Sequence, residues 1–271
     1  ASVVDVSADG RVVVMGQPFS GDLIQAYYYD TVSDDWALIN DGGAAIFAQY
    51  VSLSGDGTIV VVGSVDFGLV GVFRLENDAW RMLGDDYLSE PSGVLGGYGG
   101  YQDISADGTT FAVGFPGDKG GKGSVSVYTI NNATTSFEKV GQTIRGMGAK
   151  GESFGTTLAL SGDGKMVAVA SGSQRNGRPL AGDGSVCIYE YSAAHDSWNQ
   201  VGQRILGRNK EELGASLALS DKGSILVVGL PGYDNESGKV VVYHLVDNKW
   251  IRVGDELVGE EVQGRFGTVS V

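Results

Sequence analysis

The sequence contains a single cysteine, Cys187, which excludes an internal disulfide and any metal site built from several cysteines. Proline is also scarce, with 5 residues in 271, and no apolar run approaches the ~20 residues that a membrane-spanning helix needs, so we expect no membrane insertion. Basic residues are fewer than acidic ones, with 19 Lys and Arg and 33 Asp and Glu. The resulting formal net charge of −14 argues against a nucleic-acid partner.

Glycine, in contrast, is abundant, with 44 residues, and apolar residues make up 42% of the chain. So much glycine is unusual for a helical protein, and the absence of a Gly-x-y period excludes collagen. No segment shows the 3.6-residue periodicity of an amphipathic helix. Short β-branched and aromatic runs separated by turn residues occur throughout, and this pattern predicts an all-β protein.

A turn motif of the type Ser-x-Asp-Gly recurs five times along the chain. The five copies are “VSADG”, “LSGDG”, “ISADG”, “LSGDG” and “LSDKG”, which end at Gly10, Gly57, Gly108, Gly164 and Gly223. The intervals between these glycines are 47, 51, 56 and 59 residues. Each interval is long enough for four strands and their connections, which we label a to d, with strand a before the turn and strand b after it.

The rest of each repeat also follows one pattern. Strand b is apolar almost without alternation, so both of its faces should be covered. Strand c ends in an aromatic residue, namely Tyr27, Phe73, Tyr128, Tyr189 or Tyr243. Strand d carries a second aromatic residue, namely Trp36, Trp80, Phe137, Trp198 or Trp250. Because each aromatic recurs at one place per repeat, we expect these rings to pack between sheets rather than to stack on sugars.

Four antiparallel strands per repeat of about 50 residues predict a β-propeller of four-stranded blades, with a β-solenoid or a linear array of sandwiches as the alternative. We expect one domain over residues 1–271, with repeats at approximately 1–46, 47–97, 98–153, 154–212 and 213–265. Residues 266–271 read as the start of a further strand a, although the first repeat already has one. We therefore expect a piece of a larger propeller or repeat array, rather than a ring whose terminal strands share a blade.

Two dipeptide motifs accompany the repeats. Phe154-Gly155 lies seven residues before its turn serine, with the variants Phe47-Ala48, Tyr98-Gly99 and Leu213-Gly214. Gly-x-Pro follows strand b at Gly16–Pro18, Gly114–Pro116 and Gly229–Pro231. In this register the repeats resemble the FG-GAP repeats of integrin-α-like propellers and of related bacterial and algal proteins. The resemblance implies an extracellular or cell-surface protein, although integrin-type propellers have seven blades and five repeats are visible here.

The resemblance also raises calcium as an alternative role for the turns. In calcium-binding members the loop reads Asp-x-Asp/Asn-x-Asp-Gly, with a further acid three residues on. Here Asp5 and Asp9, and Asp103 and Asp107, match in part, but the later acid is absent. The fifth turn replaces its aspartate with Lys222. We therefore expect the Asp-Gly pairs to shape tight turns, with no cofactor and no metal site, and keep calcium at these two loops as the alternative.

Candidate binding residues lie in the variable loops, which the predicted topology gathers on one face of the propeller. The b–c and d–a loops share this face, and we expect a protein or glycan partner there. The candidates are Asp118, Lys119, Arg175, Arg178, Tyr233 and Asp234.

Catalytic constellations are poor in this sequence. His195 and His244 have no second histidine or cysteine at metal-ligand spacing. We therefore expect no enzyme and no catalytic residue, but an extracellular or cell-surface binding or structural module of adhesion, matrix or appendage architecture, as part of a larger chain or assembly. A lectin-like propeller is the first alternative. A glycoside hydrolase is the second, with Asp5 and Asp103 as paired carboxylates at the central channel.

Overall fold

Five antiparallel sheets, each with its strands in chain order, make up the fold in a computed structural model. The model describes residues 4–16, 24–39, 48–64, 67–89, 101–131, 135–147, 152–172, 174–175, 178–179 and 183–267. The prediction of an all-β propeller with four-stranded blades is confirmed. Among the described residues, both helices are four-residue turns, and neither could cross a membrane.

Each sheet corresponds to one repeat and is called a blade. Blade 1 contains β1 (Val4–Val6), β2 (Val12–Gly16), β3 (Ile24–Asp30) and β4 (Asp35–Ile39). Blade 2 contains β5 (Tyr50–Leu53), β6 (Ile59–Ser64), β7 (Leu69–Glu76) and β8 (Ala79–Ser89). Blade 3 contains β9 (Tyr101–Ile104), β10 (Thr110–Phe115), the helical turn α1 (Asp118–Gly121), β11 (Ser124–Asn131) and β12 (Ser136–Arg145).

The last two blades follow the same order. Blade 4 contains β13 (Phe154–Leu160), β14 (Met166–Ser171), the small hairpin β15 (Gln174–Arg175) and β16 (Arg178–Pro179), β17 (Ser185–Ser192), β18 (Ser197–Gln200) and a short fifth strand β19 (Ile205–Leu206). Blade 5 contains β20 (Ser216–Leu219), β21 (Ile225–Leu230), the helical turn α2 (Tyr233–Glu236), β22 (Lys239–Val246) and β23 (Lys249–Val258).

Turn chemistry explains why these segments form hairpins. The two-residue turns Asn77-Asp78 and Asp247-Asn248 join strands c and d, and all four residues have a positive φ. Asn and Asp tolerate this left-handed conformation, and such turns match the natural twist of a hairpin. Strand b is fully buried along β6, β10 and β14, which confirms that both of its faces are covered.

Apolar clusters fill the spaces between consecutive blades. The side chains of Trp80, Trp198 and Trp250 are at most 3% exposed and lie in three of these clusters. Their predicted packing between blades is therefore confirmed. Trp36 is the exception, because 44% of it is exposed.

A repeated set of hydrogen bonds joins the outer strands of blades 3, 4 and 5. The amide of Gln142 both accepts from the backbone N–H of Trp198 (2.9 Å) and donates to its carbonyl (2.9 Å). Gln203 makes the same pair of bonds to Trp250, at 3.1 and 2.7 Å. Each indole N–H donates to the preceding blade, Trp198 to the carbonyl of Val140 and Trp250 to that of Val201.

Candidate functional site: the central channel

The innermost strands β1, β5, β9, β13 and β20 line a central channel with two chambers. The larger chamber has a volume of about 640 Å³ and contains the side chains of Asp5, Asp103 and Asp221. The smaller has a volume of about 310 Å³. Its lining combines hydroxyl-bearing and amide residues, namely Tyr50, Ser52, Tyr101, Gln102, Thr156, Thr157 and Ser216, with the apolar Val51, Leu158, Ala215 and Leu217. Ser52 and Leu217 border both chambers, so the two are neighbouring parts of one channel.

The Asp103 carboxylate is fixed at the channel wall by the backbone. Its Oδ1 atom accepts from the N–H of Ile104 (2.9 Å), and its Oδ2 atom accepts from the N–H of Leu160 in the next blade (2.7 Å). Burial raises the pKa of Asp103 to about 7, against the lowering effect of these two bonds. Repulsion from Asp5 raises the pKa of Asp103 further. The carboxyl therefore exchanges a proton near neutral pH, as a general acid–base requires.

Asp5 occupies the equivalent position in blade 1 and is held in the same way. Its carboxylate accepts from the N–H of Val6 (2.8 Å) and from that of Leu53 in blade 2 (2.7 Å). Burial also raises the pKa of Asp5, with the bonds from Leu53 and Val6 opposing the shift. The channel thus contains two buried carboxyls with raised pKa values, and the charge of Asp5 contributes to the shift at Asp103.

Gln102 is a channel residue that sequence reasoning missed. Its side-chain nitrogen donates to the carbonyl of Val61 (3.3 Å), whereas its buried Oε1 atom has no hydrogen-bond partner. The residue is 8% exposed and borders the smaller chamber. A buried acceptor without a donor is costly, and because this oxygen has no accessible surface, a ligand hydroxyl reaches it only if the Gln102 side chain turns toward the chamber. Its place next to Asp103 on strand a is the only sequence signal, and no other repeat has glutamine there.

The charge of the channel is one-sided. Among the described residues that line either chamber there is no lysine, arginine or histidine, whereas three are aspartates. The described part of the wall therefore offers an anionic group no cationic side chain. The many hydroxyls suit a neutral, hydroxylated ligand.

The Ser-x-Asp-Gly turns are held by their own side chains. In the third turn the hydroxyl of Ser105 donates to Asp107 (2.6 Å), and Asp107 also accepts from the N–H of Thr109 (2.9 Å). The same serine–aspartate bond recurs in the first, second and fourth turns. Gly108 adopts a φ of +68°. These contacts fit the predicted geometric role, and calcium at the Asp5/Asp9 and Asp103/Asp107 loops remains an untested alternative.

The six loop candidates lie in pairs on three different blades. Asp118 is 1% exposed and forms an ion pair with Arg145 (3.0 Å), so it does not present its carboxylate to solvent. Lys119 lies in α1 with a φ of +54°. Arg175 and Arg178 are backbone partners across the small β15–β16 hairpin.

Tyr233 and Asp234 begin α2, the equivalent turn in blade 5. The ammonium of Lys239 lies 4.0 Å from the centre of the Tyr233 ring and forms ion pairs with Glu211 and Glu256. Asp234 is exposed and adopts a φ of +41°. A protein or glycan partner at the loop face stays a prediction.

The fold and channel define a β-propeller with an acidic, hydroxyl-lined axis, and solved structures of this architecture resemble it. The sequence matches no protein-family model and no curated protein. A Bacteroides uniformis protein provisionally named 6-phosphogluconolactonase superposes with a TM-score of 0.66 at 16% identity, over 97% of this chain and 73% of that one. The periplasmic gluconolactonase of Pseudomonas aeruginosa gives 0.62 at 19% identity, over 94% and 71%. A Bacteroides fragilis protein, also provisionally a 6-phosphogluconolactonase, gives 0.53 at 14%, over 96% and 85%.

These comparisons correct the predicted family. No family model, FG-GAP included, matches the chain, and three of the similar structures carry lactonase names. The physical reason lies in the glycines of the two motifs: a Cβ on Gly114 would lie 2.3 Å from the carbonyl oxygen of Gly155. The Phe-Gly and Gly-x-Pro motifs therefore reflect the close approach of neighbouring blades, which is not specific to one family.

The predicted function is corrected with the family. The expectation of a non-catalytic adhesion or structural module, and of no enzyme, is wrong in the light of the lactonase-named neighbours. Sequence reasoning sought a catalytic set of histidines, motif serines or blade-specific acids. It treated Asp5 and Asp103 as remnants of a repeat, because their burial and mutual repulsion depend on contacts between blades.

Proposed function

We propose that this protein hydrolyses lactones of small hydroxylated compounds in its central channel. The observation that carries the proposal is the Asp103 carboxyl, which faces the channel with a pKa of about 7 and a fixed orientation. The lactonase names of structurally similar proteins support the reaction class.

The proposed chemistry needs one proton acceptor and one bound water. Ionised Asp103 removes a proton from water as the oxygen attacks the lactone carbonyl. The ring C–O bond then breaks, and the leaving alkoxide takes the proton back from Asp103. The product is an open-chain hydroxy acid, whose carboxyl is ionised at neutral pH and releases a proton. The negative charge of Asp5 favours the protonated form of Asp103 between these two steps.

The channel favours an uncharged lactone over a phosphorylated one. Three aspartates and no described basic side chain line its chambers, so a phosphate would meet repulsion without a partner. The hydroxyl-bearing side chains of the smaller chamber can instead bond the hydroxyls of a sugar lactone. We therefore propose an aldonolactone without phosphate as the substrate class.

The test is lactone hydrolysis followed by acid release at constant pH, because lactones also open spontaneously. Glucono-δ-lactone and its 6-phosphate should be compared with wild-type protein, Asp103→Asn and the control Asp78→Asn. Asp78 is exposed at a hairpin turn where asparagine is equally tolerated. We expect the control to retain activity on the neutral lactone and Asp103→Asn to fall to the spontaneous rate. Wild-type protein with no rate above the spontaneous one on either lactone contradicts the proposal.

We also propose that the protein acts outside the cytoplasm. One structurally similar protein is named as periplasmic, and this supports the proposal. Fractionation of the source cells tests this, and recovery in the cytoplasmic fraction alone would overturn it.

A further inference from the structure

Ser52 is the channel residue that lies between the two candidate carboxyls. It stands two residues before the turn serine of its repeat, as Asp5 does on β1 and Asp103 on β9. All three residues pair with the third residue of strand b in their own blades. Because alternate residues of a strand face opposite sides, this shared register directs all three side chains to the channel. Blades 1 to 3 therefore present an acid, a hydroxyl and an acid in a row.

Two contacts across blade boundaries connect this row. The carboxylate of Asp5 accepts from the N–H of Leu53, the residue after Ser52 (2.7 Å). The hydroxyl of Ser52 in turn donates to the carbonyl of Gln102, the residue before Asp103, over 3.4 Å. This distance is long for an O–H···O bond, which usually measures about 2.7–2.8 Å. The Ser52 hydroxyl is therefore weakly held and can turn to a better acceptor.

The Asp103 carboxylate is that acceptor. Burial has the largest effect on the pKa of Asp103 and raises it, whereas a hydrogen bond from the Ser52 side chain lowers it, because the donor stabilises the ionised form. Each Asp103 oxygen accepts one backbone N–H, from Ile104 or Leu160, and keeps a lone pair for a further donor. Ser52 is only half-buried, so its hydroxyl is accessible from the channel.

Ser52 also marks the place where the two chambers meet. Of the two described residues that border both chambers, Ser52 and Leu217, only Ser52 is polar. The larger chamber contains the carboxyls, and the smaller one contains most of the hydroxyl-bearing side chains. A lactone bound through its hydroxyls in the smaller chamber would present its ring ester at this border. Ser52 thus lies where Asp103 must act on the attacking water.

We propose that Ser52 is a positioning residue, whose hydroxyl holds the ionised Asp103 carboxylate in place to accept a proton from the attacking water. This inference rests on the proposed lactone hydrolysis and deepens it. While Asp103 is ionised, the Ser52 hydroxyl donates to it. Once Asp103 has taken the proton of the water, that hydroxyl turns to the carbonyl of Gln102. Ser52 itself neither gains nor loses a proton and forms no covalent bond to the substrate.

The other ionisable groups around Asp103 determine how a pH test is read. Of the strands packed against β9, β5 carries Tyr50, and β6, β10 and β13 carry no ionisable side chain. Asp5 and Asp221 line the larger chamber, Tyr101 lines the smaller one, and no described lining residue is basic. Burial raises the pKa of Tyr50, so it carries no charge near neutral pH. Asp103→Asn removes the titration of Asp103 and so identifies it in a pH profile.

The experiment measures kcat, KM and the pH profile of kcat/KM on glucono-δ-lactone. It compares wild-type protein with Ser52→Ala, the rescue variant Ser52→Thr and the control Ser33→Ala. Alanine occurs at the equivalent position in blades 4 and 5, as Ala159 and Ala218, so Ser52→Ala should fold. Ser33 donates to Asp30 at an exposed turn (2.9 Å), so its alanine variant loses a serine–carboxylate bond outside the channel.

We expect Ser52→Ala to move the rising limb of the profile to higher pH, because the lost bond favoured ionised Asp103. Above that limb kcat should fall by about tenfold while KM changes little, because the smaller chamber still binds the substrate. Ser52→Thr keeps the hydroxyl and should restore both values, and Ser33→Ala should match wild-type protein. Urea unfolding gives a readout without substrate. The decrease in the free energy of unfolding with pH should extend beyond about 7 in Ser52→Ala, because the folded-state pKa of Asp103 rises.

Three results would overturn the inference. Wild-type protein that opens no lactone above the spontaneous rate overturns the proposed function and this inference together. Active wild-type protein whose pH limb is not moved by Ser52→Ala overturns this inference alone, and a lower melting temperature would then mark a merely structural role. A lactone-derived mass on Ser52 after an acid quench would make that residue a nucleophile instead, and Ser52→Ala would then fall to the spontaneous rate.

Discussion

The carboxylate of Asp103 on β9 accepts a 2.7 Å hydrogen bond from the backbone N–H of Leu160 on β13, 57 residues further along the chain. Asp5 forms the same bond to Leu53, 48 residues further on. Each aspartate thus joins the innermost strands of two successive blades and also faces the channel. The equivalent positions in the other blades are Ser52, Ala159 and Ala218, which have no carboxylate to accept this hydrogen bond. The candidate catalytic groups are therefore also structural ties, and a test must separate the two roles.

The pH dependence of activity is the first prediction. Since Asp103 must be ionised to accept a proton, kcat/KM for a neutral lactone should rise with pH through about 7, the pKa of this buried carboxyl. Initial rates in a series of buffers at constant ionic strength, corrected for spontaneous opening, measure it. A profile that is flat through neutral pH, or that rises near the ordinary aspartate pKa, would remove Asp103 from the role of base.

The second prediction concerns stability and uses the same carboxyl. In the unfolded chain the pKa of Asp103 lies near 3.8, and in the folded protein burial raises it to about 7. Between these values the folded state binds more protons, so the contribution of Asp103 makes the free energy of unfolding decrease as pH rises from about 4 to about 7. Asp103→Asn cannot titrate and should lack this decrease, which Asp78→Asn should retain. Urea unfolding across this pH range shows it, and parallel curves for the two variants would be the contrary result.

Two glycines with the same backbone angle provide the third prediction. Gly202 and Gly254 both have a φ of +70°, but a Cβ on Gly202 would lie 2.8 Å from the ring of Trp250, whereas a Cβ on Gly254 has open space. Alanine at either position pays the left-handed penalty of about 1 kcal/mol. Gly202→Ala should destabilise the protein further, because Trp250 must move. Thermal unfolding of Gly202→Ala and Gly254→Ala compares their losses of stability. Equal losses would contradict a contact between position 202 and the ring of Trp250.

The fourth prediction tests the hydrogen bonds at the outer edge. Gln203 makes two bonds to the backbone of Trp250, while Gln200 makes a single bond to Gly202 at the surface. Gln203→Leu leaves the backbone groups of Trp250 without these partners and should lower the free energy of unfolding by about 1–3 kcal/mol. Gln200→Leu should change it by less than about 0.5 kcal/mol. Chemical denaturation of both variants gives the comparison, in which similar losses would refute the role of Gln203.

The fold was predictable because its signals are local and occur five times. A turn such as Ser105 to Gly108 contains its own hydrogen-bond partners, so the sequence alone shows where strand a ends and strand b begins. The aromatic residues of strands c and d recur at one place in each repeat, and this recurrence predicts that they are buried between blades. The bare Trp36 breaks this rule, because its burial depends on a neighbouring blade rather than on its own repeat.

The site was harder to predict because it depends on distant parts of the chain. Asp118 looks like an exposed loop acid until Arg145, 27 residues later, covers it. Only one repeat has glutamine at the position of Gln102, and its unpaired oxygen is recognisable only when the strands around the smaller chamber are assembled. The family was misjudged because the motifs that suggested it are not specific. Their glycines permit a close contact between blades that any closely packed propeller requires.

The last prediction distinguishes a turn from a calcium site. Asp107 accepts bonds from the Ser105 hydroxyl and from the N–H of Thr109, so its carboxylate already has partners without a cation. Asp107→Ala should therefore lower the free energy of unfolding by about 1 kcal/mol to the same extent with calcium or with a chelator. Lys222→Ala, at the same position of the fifth turn, is the control and removes only an ion pair to Asp163 through a lysine that is 80% exposed. Wild-type protein whose melting temperature rises with calcium, in a way that Asp107→Ala abolishes, would establish the cation site instead, because a ligand that binds only the folded state stabilises it by an amount that grows with the logarithm of its concentration relative to Kd.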